Sequence, residues 1–197
     1  MRLAIISDAH GNAAALDIAL AAVAPGADEI LFAGDAFSDF RFSNEVVERL
    51  RAAGARYVLG NHEVNLLSAA GSRARSAPHV RAANLEWVAG QPRSVRTRID
   101  GCALLMVHAS PWPPYTQYLT PASRELDRCD EIDADLLIVG HSHLPFAVRR
   151  GRVLVVNPGS VGQADQPVMG DEVSYAVLDT RSGEVRFHRF ANPSPRR

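Results

Sequence analysis

Five short apolar runs in this 197-residue chain are each followed at once by an oxygen or imidazole donor. Residues 3–6 lead into Ser7-Asp8-Ala9-His10, residues 30–33 into Gly34-Asp35, and residues 56–59 into Gly60-Asn61-His62-Glu63. Residues 103–107 end at His108, and residues 136–139 lead into Gly140-His141-Ser142-His143. Asp8, His10, Asp35, Asn61, His108, His141 and His143 make a donor set of two carboxylates, one amide and four imidazoles, with no thiolate. Seven donors exceed what one tetrahedral zinc takes. They suit two ions sharing a bridging carboxylate, with Asp35 as the candidate bridge. Mixed N/O ligation fits Mn, Fe or Zn and argues against Cu(I) or an Fe–S cluster. His141 and His143 are two residues apart, so in an extended segment both leave on one side, each toward a different ion.

The pattern is more specific than its parts. Composition alone gives about 0.5 chance matches to Asp-x-His, but only about 0.02 each to Gly-Asn-His and Gly-His-x-His. Five of the seven histidines fall in these blocks, leaving His79 and His188.

Composition excludes other chemistries. All 21 basic residues are Arg, so a P-loop, a Schiff-base site and a Ser-Lys hydrolase are excluded for want of Lys. A formal net charge of −1 gives no long-range pull on nucleic acid. Hydrophobic residues make up 47% and charged residues 22%, an ordinary globular balance that excludes a disordered chain. The longest apolar runs fall far short of the ~20 residues that span a bilayer, and no leader pattern opens the chain. The two cysteines form no disulfide framework. Cys102, in an apolar run, reads as a buried core thiol. The expectation is a cytoplasmic protein with no membrane partner and no strong sign of a nucleic-acid partner; self-association stays open.

These donors need strands that bring them to one edge. Residues 3–6, 30–33 and 56–59 read as strands. They alternate with helices over 13–23, stopped by Pro25 and Gly26, and over 44–53, capped by Ser43 and closed by Gly54. Residues 63–70 and 80–88 read as further helices, and 71–78 as a loop. The second half is rich in hairpins: 95–99 with 103–107 around Asp100-Gly101, 146–149 with 153–156, and 174–179 with 184–190. Residues 122–129 read as helical, and 136–139 as a buried strand. One domain over 1–190 is expected, with a frayed tail over 191–197. In open α/β sheets ligands bind outside the carboxyl ends of strands, where all five donor blocks fall.

Taken in order, Asp8-x-His10, Gly34-Asp35, Gly60-Asn61-His62-Glu63, His108 and Gly140-His141-x-His143 resemble the five motifs of the calcineurin-like metallophosphoesterase superfamily. The runs from Ser7 to Asn12 and Asn157-Pro158-Gly159-Ser160-Val161-Gly162 resemble its small bacterial and archaeal phosphodiesterase branch. The resemblance implies an α/β fold, a four-layer αββα sandwich of two mixed β-sheets flanked by helices. It implies one metal held by Asp8, His10, Asp35 and His143, and a second by Asp35, Asn61, His108 and His141. Manganese is the first expectation, with Fe, Zn or Ni as alternatives. His62 is then the catalytic residue, and Asn61 and His62 bind substrate. The implied reaction is hydrolysis of a small phosphodiester or nucleotide-like substrate by a metal-activated water attacking phosphorus. His62 would stabilise the developing charge or protonate the leaving oxygen.

Alternatives remain at this point. The activity reads alternatively as a phosphomonoesterase or nucleotide phosphatase. A non-catalytic scaffold on the same fold is the reading from another class; such proteins lose a ligand or the substrate-facing histidine, and here all are present. Glu63 is either an orienter of an imidazole or a first-turn carboxylate favoured by the helix dipole. Trp112, Tyr115 and Tyr118 form either a lip that stacks a nucleobase or aryl ester, or a loop packed on the body. Arg41 and Arg124 are phosphate binders or plain surface residues. Ala36 to Arg41 departs from the Asp-Arg-Gly of protein phosphatases, and Gln163-Ala164-Asp165 stands where relatives often show Pro-Arg; both changes bear on substrate rather than metal.

Overall fold

The computed structural model describes residues 1–164 and 166–194. Two five-stranded mixed sheets carry it. The first has the order β10-β9-β1-β2-β3, with β1 at Arg2–Ile6, β2 at Glu29–Phe32, β3 at Arg56–Tyr57, β9 at Glu172–Asp179 and β10 at Val185–Ala191. The second has the order β4-β5-β6-β8-β7, with β4 at Ser94–Ile99, β5 at Cys102–Val107, β6 at Leu136–Ile138, β7 at Phe146–Arg150 and β8 at Val153–Asn157. Helices α1 (Ala13–Val23) and α2 (Asn44–Ala52) make the crossovers that set β1, β2 and β3 parallel. Ser43 caps α2 with its side chain, accepting from the Val46 N–H.

Side-chain alternation divides the chain into layers. Leu3 and Ile5 of β1 face Leu104, Met106 and Ile138 of the second sheet in an apolar layer between the sheets. Ala4 and Ile6 point the other way, against Leu16 and Ala19 of α1 and Val46, Val47 and Leu50 of α2. On the far side, Leu105, Leu137 and Val155 pack under Trp112, Leu119, Leu126 and Cys129. The architecture is the four-layer α/β sandwich with two mixed sheets.

The outermost layer on the second sheet differs from the expectation in kind. Residues expected as a helix over 122–129 form a 3-10 helix at Arg124–Glu131 that buries Leu126 and Cys129. The segment expected as a loop over 71–78 contains a short helix, α4 (Ser72–Arg75), after α3 (Asn61–Leu67) and before α5 (Ala82–Ala89). Cys102, expected in the core, is half-buried at the start of β5, and Cys129 is the buried cysteine. The expected tail opens as structure: Ala191 ends β10, and the Asn192 N–H donates to the Asp171 carbonyl. Residues 195–197 of that tail, and Asp165, lie outside the described residues. No helix among the described residues is long and apolar enough to cross a membrane.

Candidate functional site

The parallel strands β1, β2 and β3 of one sheet and β5 and β6 of the other end at the same edge of the sandwich, where their outgoing loops bond to one another. The Asp8 N–H donates to the Gly34 carbonyl at 2.9 Å, and the Gly140 N–H to the His108 carbonyl at 2.7 Å. The His141 N–H crosses between sheets to Asp8 Oδ2 at 3.1 Å. The motif glycines Gly60 and Gly140 are required by this crowding. A Cβ on Gly60 would collide with Asp35 Oδ1, and one on Gly140 with Ser7 Oγ and Asp8 Oδ2. The run after β8 adds a brace: the Asn157 amide donates to the Gly140 carbonyl, Ser160 Oγ to the Asp8 carbonyl, and the Val161 N–H to the Ser7 carbonyl.

The backbone at the donors is unusual. Asp8, His10, Asp35, His141 and His143 all take left-handed conformations, at φ 57°, 47°, 59°, 66° and 56°. Each costs about 1–3 kcal/mol and persists only where the surroundings impose it. Such outliers concentrate at functional sites.

All seven expected donors are brought together. Asp8, His10 and His143 offer donor atoms within 4.8 Å of one another, and so do Asp35, His108 and His141. His10 Nε2 lies 3.0 Å from His143 Nε2, which is 3.2 Å from Asp8 Oδ1. His108 Nε2 lies 3.1 Å from Asp35 Oδ2, 3.0 Å from Asn61 Oδ1 and 3.2 Å from His141 Nδ1. His62 joins a third group with His10 and Asp35.

These contacts fit a cation better than hydrogen bonding. His108 Nδ1 faces the Ala33 carbonyl at 2.7 Å, and a carbonyl only accepts, so the ring carries its proton there. The Nε2 lone pair is then aimed at three other acceptor atoms, and one added proton could serve only one of them. Donors about 2.1 Å from a common ion, at 90–110°, stand about 3.0–3.4 Å apart, which is the spacing seen. Orientation of a ligating imidazole by a backbone carbonyl on its other nitrogen is the usual support for such a site. Asp8 Oδ1, which faces the Nε2 atoms of His10 and His143, is buried without a hydrogen bond to it, the kind of orphan that a bound ion explains.

The electrostatics show that this edge attracts positive charge, carried by imidazoles while no ion is bound. Burial works against the Asp8 charge, yet His143 and His10 hold its carboxyl well below the usual range. Burial likewise opposes a charged His108, but Asp35 and Asp8 carry it up to about 9. Burial and the neighbouring His108 push His141 down to about 4.

For two neighbours the structure decides between alternatives the sequence left open, and a third is new. Glu63 does not orient an imidazole. Fully buried, it accepts from the backbone N–H groups of Gly60, Asp35 and Ala36 at 2.7, 2.9 and 2.8 Å and ties α3 to the β2 loop. Burial and the Asp35 charge push it up to about 7. Trp112 is no lip: it is 4% exposed and packs among Leu105 and Leu126, with Arg128 over its ring. Asp39 was missed. Its Oδ1 lies 2.6 Å from His62 Nδ1 and fixes the ring, whose Nε2 turns toward Asp35 Oδ2 at 3.7 Å. The available signal was that Asp39 is the one carboxylate between Asp35 and the helix opened at Ser43.

The sequence profile of the calcineurin-like phosphoesterase superfamily domain matches residues 1–183. The chain belongs to that superfamily. Its fold is similar to that of a metallophosphoesterase from Sphaerobacter thermophilus, 27% identical, with a TM-score of 0.79 over 98% of this chain and 89% of that one. Phosphodiesterase YfcE of Escherichia coli is 29% identical over 167 residues, which cover 77% of this chain and 87% of that protein. The symmetrical bis(5′-nucleosyl)-tetraphosphatase of Paracidovorax citrulli is 36% identical over 151 residues, 69% of this chain. That match spans 52% of the tetraphosphatase, about half its length.

Proposed function

We propose that this calcineurin-like phosphoesterase is a divalent-metal-dependent phosphodiesterase, formed by one domain over residues 1–190. The observation that carries the reading is the pair of donor groups on either side of the buried Asp35. Asp8, His10 and His143 would hold one ion, Asn61, His108 and His141 the other, and Asp35 would reach both. Ions bound there supply charge neutralisation at the phosphoryl oxygens and acidify a water molecule.

The chain's own residues supply the rest. A small cleft of about 250 Å³ opens over the cluster, with His62 and Asn61 on its wall. Asn61 turns Oδ1 toward His108, which leaves its amide N–H groups to bind a phosphoryl oxygen. His62, steadied by Asp39, would donate from Nε2 to that oxygen or to the departing ester oxygen. No arginine among the described residues lines this cleft. A diester, with a single negative charge, needs less cationic support than a monoester dianion, which favours the diester. The relative named phosphodiesterase supports the same choice.

The test is turnover of bis(p-nitrophenyl) phosphate, with p-nitrophenyl phosphate as the monoester control. Chelated protein should be inert, Mn²⁺ should restore diester hydrolysis, and the monoester should be slower. Absence of diester turnover with Mn²⁺, Fe²⁺, Ni²⁺, Zn²⁺ and Mg²⁺ alike would overturn the reading. Faster monoester turnover would assign the site to monoesters.

A further inference from the structure

A second and larger cleft, of about 770 Å³, opens beside the donor cluster and shares Asn61, His108 and His141 with it. Its size suits a ligand of nucleotide dimensions. Leu105 and Val107 of β5 form part of its apolar wall, and the loop carrying Tyr115 and Tyr118 forms its rim. Tyr118 stacks on His141 with ring centroids 4.0 Å apart and planes at 19°, and it is 65% exposed. Tyr115 is 61% exposed and held at φ 65°, a left-handed conformation that a bulky residue takes only under constraint. Exposed aromatic faces beside a reacting centre are stacking surfaces for a planar ring.

The cleft also carries charge. Arg93 and Arg96 line it at the start of β4. Neither guanidinium makes a hydrogen bond or close ion pair among the described residues, whereas Arg49, Arg56, Arg128 and Arg186 are each bound to a carboxylate. Asp133, whose field reaches Arg96, is itself bonded to Arg152 at 2.9 Å. The strand register fixes the spacing. Arg96 lies opposite Leu105, three residues before His108, which is about 10 Å along the strand. With its guanidinium turned away from His108, Arg96 could hold an anion separate from the phosphoryl group at His108, with room for a nucleoside between them.

We propose that this cleft is the subsite for one ester group of the substrate, a nucleoside that bears a second phosphate. Its base would stack on the Tyr115 and Tyr118 rim, and its second phosphate would bind Arg93 and Arg96. The proposal rests on the phosphodiesterase reading for its place in the reaction, but ligand binding can be measured without turnover.

The p-nitrophenyl ester of thymidine 5′-phosphate, with and without a 3′-phosphate, gives the kinetic test. The wild-type protein should favour the 3′-phosphorylated ester about tenfold in kcat/KM, mostly through KM, the size expected for charge-assisted contacts. The Arg93→Ala/Arg96→Ala variant should lose that preference, and Tyr115→Ala should raise KM for both nucleoside esters relative to methyl p-nitrophenyl phosphate. Calorimetry with thymidine 3′,5′-bisphosphate gives the independent readout, with tight binding to wild type and about tenfold weaker binding to the double variant. Turnover of the esters without preference, and equal binding to both proteins, would sink the subsite and leave the phosphodiesterase reading standing. Arginine-dependent binding without turnover of any ester would do the reverse. All three positions are exposed, and an unchanged thermal midpoint checks that the variants fold.

Discussion

At the scale of single residues, the orientation of His62 depends on Asp39, which belongs to none of the recurring motifs. The bond between them is short at 2.6 Å, and Asp39 is exposed, so its contribution is to hold the ring rather than to build the core. His62→Ala should lower kcat on bis(p-nitrophenyl) phosphate by about 10²–10⁴-fold, the range for a positioned acid or base. Metal content, read by elemental analysis, should stay near that of the wild type. Asp39→Ala should cost about tenfold, since second-layer partners of imidazoles typically carry 10–100-fold. Equal loss of metal and rate in His62→Ala would make that histidine a ligand instead. The difference between the two positions also explains what the sequence could reveal. His62 adjoins Asn61 directly after a strand, so its type and spacing both carry information. Asp39 sits in a loop without periodicity, and only the fold brings it to the ring. Trp112 shows the converse, because an aromatic beside Tyr115 and Tyr118 cannot be told from core by composition, and the register of the loop buries it.

At the scale of elements, the turn chemistry was the most readable feature. Asp100 and Gly101 both take positive φ, 51° and 80°, as a two-residue hairpin requires, and β4 and β5 pair in register from Ile99–Cys102 to Ser94–Val107. The 3-10 helix at Arg124–Glu131 was not distinguishable from an α-helix, because apolar residues three apart, Leu126 and Cys129, satisfy either period. The attachment of α3 was also hidden, since Glu63 looks like any first-turn carboxylate until its three N–H partners are located. That attachment leads to a prediction. Glu63→Gln puts an amide where three buried donors converge, leaving at least one unpaired, at about 1–3 kcal/mol each. The thermal midpoint should fall by about 2–4 °C per kcal/mol for a chain of this size. Because Asp35 and Gly60 are both held by Glu63, the variant should also bind Mn²⁺ more weakly. A variant with unchanged midpoint and unchanged metal affinity would remove Glu63 from any positioning role. Gly60→Ala tests the same joint from the other side, since its Cβ meets Asp35 Oδ1, and reduced Mn²⁺ retention is the expected result.

At the scale of the whole molecule, the two sheets meet through an apolar layer of residues such as Leu3, Ile5, Met106 and Ile138, but their common edge is polar. There Asp8 and Asp35 are both buried; burial and the Asp8 charge work against ionisation of Asp35, but His108 and His62 outweigh them and hold its carboxyl below the usual range. Left-handed backbone at five donors adds strain at the same edge. Cations between these groups would neutralise the buried carboxylates and join loops that come from both sheets, so metal binding should stabilise the entire sandwich rather than one loop. A ligand at 100 times its Kd adds about 2.7 kcal/mol, which for a chain of this length is a rise of about 5–10 °C in thermal midpoint. Chelated protein should therefore melt lower than protein with Mn²⁺, and the gap should widen as Mn²⁺ is raised. Asp35→Asn tests both contributions. It removes the charge that His108 and His62 favour, so the chelated variant should melt lower than the chelated wild type. It also turns the shared carboxylate into a neutral amide, so Mn²⁺ should lift its midpoint far less. A wild-type midpoint indifferent to Mn²⁺ across the titration would mean that the seven converging side chains hold no ion, whatever their spacing.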